Sequence, residues 1–204
     1  MEPRQKGALP GGSDVSDDDD RDRRAERRRF DDVALPHLDA AFNLARWLVG
    51  THADAQDVVQ DAFLRALRHF DGYRGGDARS WVLSIVRRCS YTWLARNGAA
   101  ETLPLADDAV MAEPGGPEDP ELAALRGADR RRLATLIERL PPAFREVLVL
   151  RDLEEMSYRE IALACDIPVG TVMSRLARAR TALRRAWEKP IAKEPAPREK
   201  DRGV

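Results

Sequence analysis

Five arginines, Arg175, Arg178, Arg180, Arg184 and Arg185, crowd one stretch near the end of the sequence, and no aspartate or glutamate stands among them before Glu188. Guanidinium groups do two jobs well. They neutralise phosphates, and through paired hydrogen bonds they read the edge of guanine. A charge run on a helix is more often a solvated face, with acids alternating along it. The lack of such acids here tips the stretch toward a polyanion, and a helix of this kind fits nucleic acid.

A second group of reactive types surrounds the glycines of DGYRGGDARSW, with Tyr73, Arg74, Arg79 and Trp81, and continues into Arg87, Arg88 and Tyr91 at helical spacing. Aromatic rings interleaved with guanidinium groups form a platform on which unpaired bases stack. An ordinary helix connection has the same composition. Catalysis is the weakest reading. His37, His52 and His69 lie near Asp39, Asp54 and Asp71, but no nucleophile, metal-ligand spacing or phosphate-binding glycine loop accompanies them. Cys89 and Cys165 stand in separate segments without a neighbouring Cys or His at ligand spacing. No metal, cofactor or disulfide is therefore expected, and a reducing, cytoplasmic setting is.

The arginines of the first group need a helix to carry them. In SYREIALACDIPVGTVMSRLARARTALRRAW, Ser157 and Glu160 have the spacing of a capping box, and Asp166, Ile167 and Pro168 then interrupt the helical pattern. Val172, Leu176, Ala179 and Leu183 recur at helical spacing beyond the break. Two helices about a tight turn, the second with a basic outer face, make a helix-turn-helix whose second helix enters a major groove.

The rest of the chain reads as all-α, with two small helical domains joined by a flexible acidic linker. Residues 1–29, with Asp17 to Asp20 and RDRRAERRR, lack the apolar content to offset their ordering entropy and are expected to be disordered. The first domain spans 30–97. Leu38, Ala41, Phe42, Ala45, Leu48 and Val49 share one face before Gly50, and Thr51 caps a second helix. In that helix Val59, Phe63, Ala66 and Phe70 point inward, while Asp57, Gln60, Asp61, Leu64 and Arg68 point away as plain surface or as a docking face. WVLSIVRRCSYTWLARN follows, with Val82, Ile85, Val86, Cys89 and Trp93 expected inside. Residues 98–119 change to Pro, Gly, Ala and acids and read as the linker. The second domain spans 120–188, where Pro141-Pro142 ends one helix and opens the next, and residues 189–204 form a charged tail expected to be disordered. The net charge of −1, from 34 basic and 35 acidic residues, thus conceals strong local segregation. No run reaches the length of a membrane span, and the polar N-terminus does not look like a signal peptide.

These motifs, in this order, resemble the extracytoplasmic-function (ECF) group of the sigma-70 family, the bacterial RNA polymerase specificity subunits. DAQDVVQDAFLRAL and RSWVLSIVRR look like region 2, and LPPAFREVLVLRDLEEMSYREIALACDIPVGTVMSRLARAR looks like region 4. The resemblance implies a non-enzymatic protein that binds core polymerase, recognises −35 and −10 promoter elements and promotes DNA opening. It implies a β′ coiled-coil contact through Asp57, Gln60, Asp61 and Leu64. A flipped −10 base would be held by Tyr73, Arg74, Arg79, Trp81, Arg87, Arg88 and Tyr91. For the −35 element it implies base reading by Met173, Ser174, Ala177 and Arg178, with Thr171, Arg175, Arg180 and Arg184 completing the DNA contacts. Further implied partners are the β subunit and an anti-sigma factor. Three residues depart from the family pattern: Met173 for a common Lys or Arg, Arg88 for a frequent Asn, and Asp166 for the turn glycine. Two other readings stay open, a dimeric repressor or activator using only the helix-turn-helix, and a sigma mimic that sequesters an anti-sigma protein.

Overall fold

Caps and breakers set the helix boundaries. The Thr51 hydroxyl accepts from the Asp54 amide at 3.1 Å, and Gly50 leaves the preceding helix with φ 96°. Ser157 and Glu160 form both bonds of the capping box, at 3.2 and 2.6 Å. Pro142 occupies the first turn of its helix, where its missing amide goes unneeded. The computed structural model describes residues 14–97 and 120–189; the linker at 98–119, most of the C-terminal tail and residues 1–13 lie outside the described residues.

Within the described residues the chain forms eight α-helices and no strand. They are α1 (Asp14–Ala34), α2 (Leu38–Val49), α3 (His52–Arg68), α4 (Ala78–Asn97), α5 (Pro120–Glu138), α6 (Pro142–Leu148), α7 (Tyr158–Cys165) and α8 (Val169–Glu188). Short 3₁₀ turns follow α1 and α3, and a π-turn, Val149–Leu153, extends α6. Helix α1 begins well before Phe30, within the stretch that the sequence reads as disordered. Two features support it: an Asp20–Arg24 pair one turn apart at 2.8 Å, and the Phe30 ring, buried edge-on against Phe63 and Phe70 with centroids 6.4 and 5.5 Å away. The composition of the segment is polar, but a single aromatic at its end gives it something to pack.

Helices α2, α3 and α4 bury Leu44, Leu48, Val58, Val59, Val82 and Val86 among themselves. The expected inner face of α4 needs correction. Ile85 and Trp93 are only half-buried, while Leu83, Ser80 and Ser90 are buried too. The reason is that α4 is covered on two sides, by α2 and α3 on one and by α7 on the other. Periodicity marks one stripe, and a central helix has more than one.

The second helical unit is packed directly on the first. Val147, Leu150, Met156, Ile161 and Cys165 continue the same apolar core. Polar bonds ring this contact: Asn43 donates to Glu154 at 3.0 Å, Arg79 to Glu154 at 2.6 Å, and Arg145 to the Trp47 carbonyl at 2.8 Å. At its centre the Glu146 carboxylate has no solvent exposure and accepts from Arg87 of α4 at 2.7 Å and from Arg175 of α8 at 3.0 Å. Arg145 beside it donates to the carbonyls of Glu138 and Leu140, satisfying the end of α5.

Glu146→Ala should lower the unfolding free energy by about 3–5 kcal/mol, because it strips two guanidinium groups of a shared buried partner; chemical denaturation monitored by helicity measures this. The alkaline limb of stability is set by buried acids. Burial pushes the Cys165 thiol from its ordinary 9.0 up to about 12, and burial likewise raises Cys89 and Tyr91. A raised folded-state value stabilises the fold fully below the unfolded value and is lost as pH climbs toward the folded one. The denaturant midpoint should therefore fall between about pH 9 and 12, and Cys165→Ala should flatten that fall.

Candidate nucleic-acid interface

The helix-turn-helix is built by one residue in an unusual conformation. Asp166 closes α7 with φ 53° and ψ 51°, in the left-handed region that aspartate tolerates better than most side chains. The Ile167 amide then returns to the Ala162 carbonyl at 3.1 Å, and the next residue, Pro168, is the N-cap of α8. Val172, Leu176 and Ala179 are buried, which fixes the rotation of α8 about its own axis. Met173, Ser174, Ala177 and Arg178 consequently lie on the exposed side, with Met173 53% exposed. Arg184 extends the same exposed face, and the half-buried Thr171 sits in the first turn with its amide on the Pro168 carbonyl.

Two other arginines of α8 do not point at open solvent alone. Arg175 reaches back to Glu146, and Arg180 pairs with Asp152 of the π-turn at 2.6 Å, which raises its already high pKa. The charge run thus divides into a face of free orientation, carrying Arg178 and Arg184, and a flank that clasps the body of the protein.

The glycine loop keeps part of its expected group together. Gly75 and Gly76 have φ 86° and 102°, conformations a side chain would strain, and the Tyr73 hydroxyl donates to the Gly76 carbonyl at 3.0 Å. Asp77 caps α4 by accepting from the Ser80 amide at 3.2 Å. Tyr73, Phe70 and Trp81 form a cluster of three rings, with Phe70 stacked on Tyr73 at 5.9 Å and 18°, and Trp81 tilted against Tyr73 at 4.9 Å and against Phe70 at 6.1 Å. Arg74 is exposed beside them, and Arg88 is exposed farther along α4.

Arg79, Arg87 and Tyr91 are not brought into that group. Arg79 is engaged by Glu154 and Arg87 by Glu146, and the Arg87 guanidinium lies 4.8 Å from the Tyr91 ring centre. Burial, with Glu146 nearby, suppresses ionisation of the Tyr91 hydroxyl. This face of α4, which helical spacing alone marks as an open platform, is covered by α6 and α7. On α3, Asp57, Gln60, Asp61 and Leu64 share an exposed face, where Leu64 is 47% exposed and Asp61 holds Arg65 at 2.9 Å.

Sequence reasoning passes over Glu146 and Glu154. A signal was available for the first, since Arg145-Glu146 is a charged pair inside the apolar run PAFREVLVL, and charges there must be partnered. Among the described residues no cluster of His, Cys, Asp and Glu has the arrangement of a metal site, and no helix is long and apolar enough to cross a membrane.

Comparison with known proteins gives this geometry a context. The family profile for Sigma-70 region 2 matches residues 34–100, and that for Sigma-70 region 4 matches residues 130–183. The chain is 33% identical over 182 residues to the RNA polymerase sigma-H factor of Pseudomonas aeruginosa, covering 86% of this chain and 94% of that one. It is 39% identical over 139 residues to the ECF RNA polymerase sigma-E factor of Escherichia coli K12, covering 64% and 72%. With the ECF RNA polymerase sigma factor SigE of Mycolicibacterium smegmatis it shares 35% over 157 residues, 76% of this chain but 60% of that longer relative. Among solved structures, CnrH in complex with the cytosolic domain of CnrY superposes with a TM-score of 0.55 at 26% identity, covering 79% and 88%. The sigma factor RpoE of Bartonella quintana, in complex with the anti-sigma factor NepR, superposes with a TM-score of 0.58 at 24% identity, covering 75% and 92%. With both sigma regions matched in order, and relatives of 33% and 39% identity covered over 94% and 72% of their length, the chain belongs to the ECF group of the sigma-70 family of RNA polymerase sigma factors.

Proposed function

We propose that this protein binds core RNA polymerase, reads a −35 and a −10 promoter element, and helps to open the DNA between them. The observation that carries the reading is the exposed face of α8, where Met173, Ser174, Ala177 and Arg178 stand opposite the buried stripe in the second helix of a helix-turn-helix. Such a helix laid in a major groove directs short side chains and one guanidinium at base edges, while Arg184 reaches a phosphate. Met173 offers an apolar contact suited to a thymine methyl where a basic residue would offer a charge.

In this reading residues 30–97 hold polymerase and the −10 element, residues 120–188 hold the −35 element, and residues 98–119 connect them. Asp57, Gln60, Asp61 and Leu64 form the polymerase-facing patch, an exposed leucine framed by acids and an amide. Tyr73, Arg74 and Trp81 receive an extruded base of the −10 strand, exchanging its stacking in DNA for stacking on protein. Arg79, Arg87 and Arg175 join the DNA contacts only when the two helical units part, because each is held by a glutamate in the packed arrangement. Work of this kind is done in the cytoplasm, on the nucleoid. An anti-sigma factor is a further partner, supported by the complex in which the Bartonella relative was solved.

Reconstituted transcription with bacterial core polymerase and a promoter library tests the reading. Specific transcripts are expected from the wild type, and failure to bind core at all would overturn it. Arg178→Ala should reduce promoter-specific initiation by roughly 5- to 150-fold, the equivalent of about 1–3 kcal/mol for a base contact, with core affinity unchanged. Leu64→Arg should do the reverse, weakening core binding while leaving the helical content and unfolding midpoint as they are.

A further inference from the structure

Between α1 and the loop after α3 lies a cleft of about 600 Å³. The loop contributes Phe70, Tyr73 and Arg74 to its lining, and α1 contributes Arg29, Asp32 and Val33. The three α1 residues recur at i, i+3 and i+4, so one face of the helix forms the wall. Phe30 anchors that helix against Phe63 and Phe70, and the Arg29 guanidinium lies 5.9 Å from the centre of the Phe70 ring. The region 2 match begins at residue 34, so this wall lies wholly outside the matched segment.

We propose that α1 is part of the −10 reader, and that Arg29 and Asp32 complete with Phe70, Tyr73 and Arg74 a pocket for one extruded nucleobase of single-stranded DNA. The inference rests on the reading of the Tyr73 loop as the −10 surface and extends it to a helix that reading does not include. The chemistry of the lining selects the ligand. The half-buried Tyr73 ring, backed by the buried Phe70 ring, offers a stacking surface that a phosphate cannot use. Two guanidinium groups attract the strand and donate to ring nitrogens or carbonyls. The one carboxylate repels phosphate from the interior but accepts from an exocyclic amine, as acids do from cytosine. A cleft so lined takes a flat, polar base with an amine in preference to thymine.

The test uses holoenzyme, this protein bound to core polymerase, with a pool of fluorescent single-stranded 12-mers of random sequence. Arg29→Ala is expected to weaken binding about tenfold, the lower part of the range for one stacked base. Asp32→Asn is expected to erase the depletion of thymine at one position among the bound sequences. Tyr73→Ala serves as the control for the loop itself. Loss with Tyr73→Ala but wild-type binding with Arg29→Ala would overturn the role of α1 and leave the loop assignment standing. Wild-type binding by both would overturn the loop assignment as well. Full rescue by Arg29→Lys would assign Arg29 to the phosphate backbone and overturn the base pocket, since an ammonium keeps the charge and loses the planar face. Core affinity and helical content, measured on every variant, are expected to match the wild type; a drop in either with Arg29→Ala would make α1 a structural prop and overturn the proposal.

Discussion

One carboxylate, that of Glu146, decides how this molecule is assembled. It is wholly buried, and its two guanidinium partners come from opposite halves of the chain, Arg87 from α4 and Arg175 from α8. A buried ion needs such partners to offset its desolvation, and a carboxylate with one partner removed would be a poor occupant of this site. The pairing therefore sets the register of α6 between α4 and α8, and the apolar contacts of Val147, Leu150 and Cys165 close around it. An apolar core tolerates sliding more readily than a shared charge does. Specific angles between guanidinium and carboxylate give the packed arrangement a single geometry.

That same bridge links the two halves energetically. A ligand that binds only when Arg87 and Arg175 are free must first supply the free energy of releasing them, and one that clamps the packed units together works in the opposite direction. The two effects are reciprocal through a common equilibrium, whatever the identity of the ligand. Arg79 with Glu154 and Asn43 with Glu154 add to the same equilibrium from the rim.

Much of the local structure was legible in the residues. The Ser157–Glu160 box, the Thr51 cap, the Pro142 start and the left-handed Asp166 are short-range effects, each decided by a few neighbouring atoms, and each occurs where the sequence places it. The buried stripe of α8 was legible for the same reason. What spacing cannot convey is a second contact on the far side of a helix. Arg87 and Tyr91 share a face of α4 with Arg88, yet the first two meet Glu146, which lies 59 positions beyond Arg87 in the chain. The order of α1 escaped for a related reason, because its apolar support, the ring of Phe30 with Val33 and Ala34, packs against a core formed by later residues.

The chain's two sulfhydryl groups have a consequence for signalling. Cys89 and Cys165 are both buried, and burial holds both in the protonated form that reacts poorly with peroxides and disulfides. Oxidants reach them only through opening of the core, so in the folded state neither sulfur can serve as a sensor. Thiol oxidation of the folded protein is thus coupled to opening of its core, and its rate follows that opening.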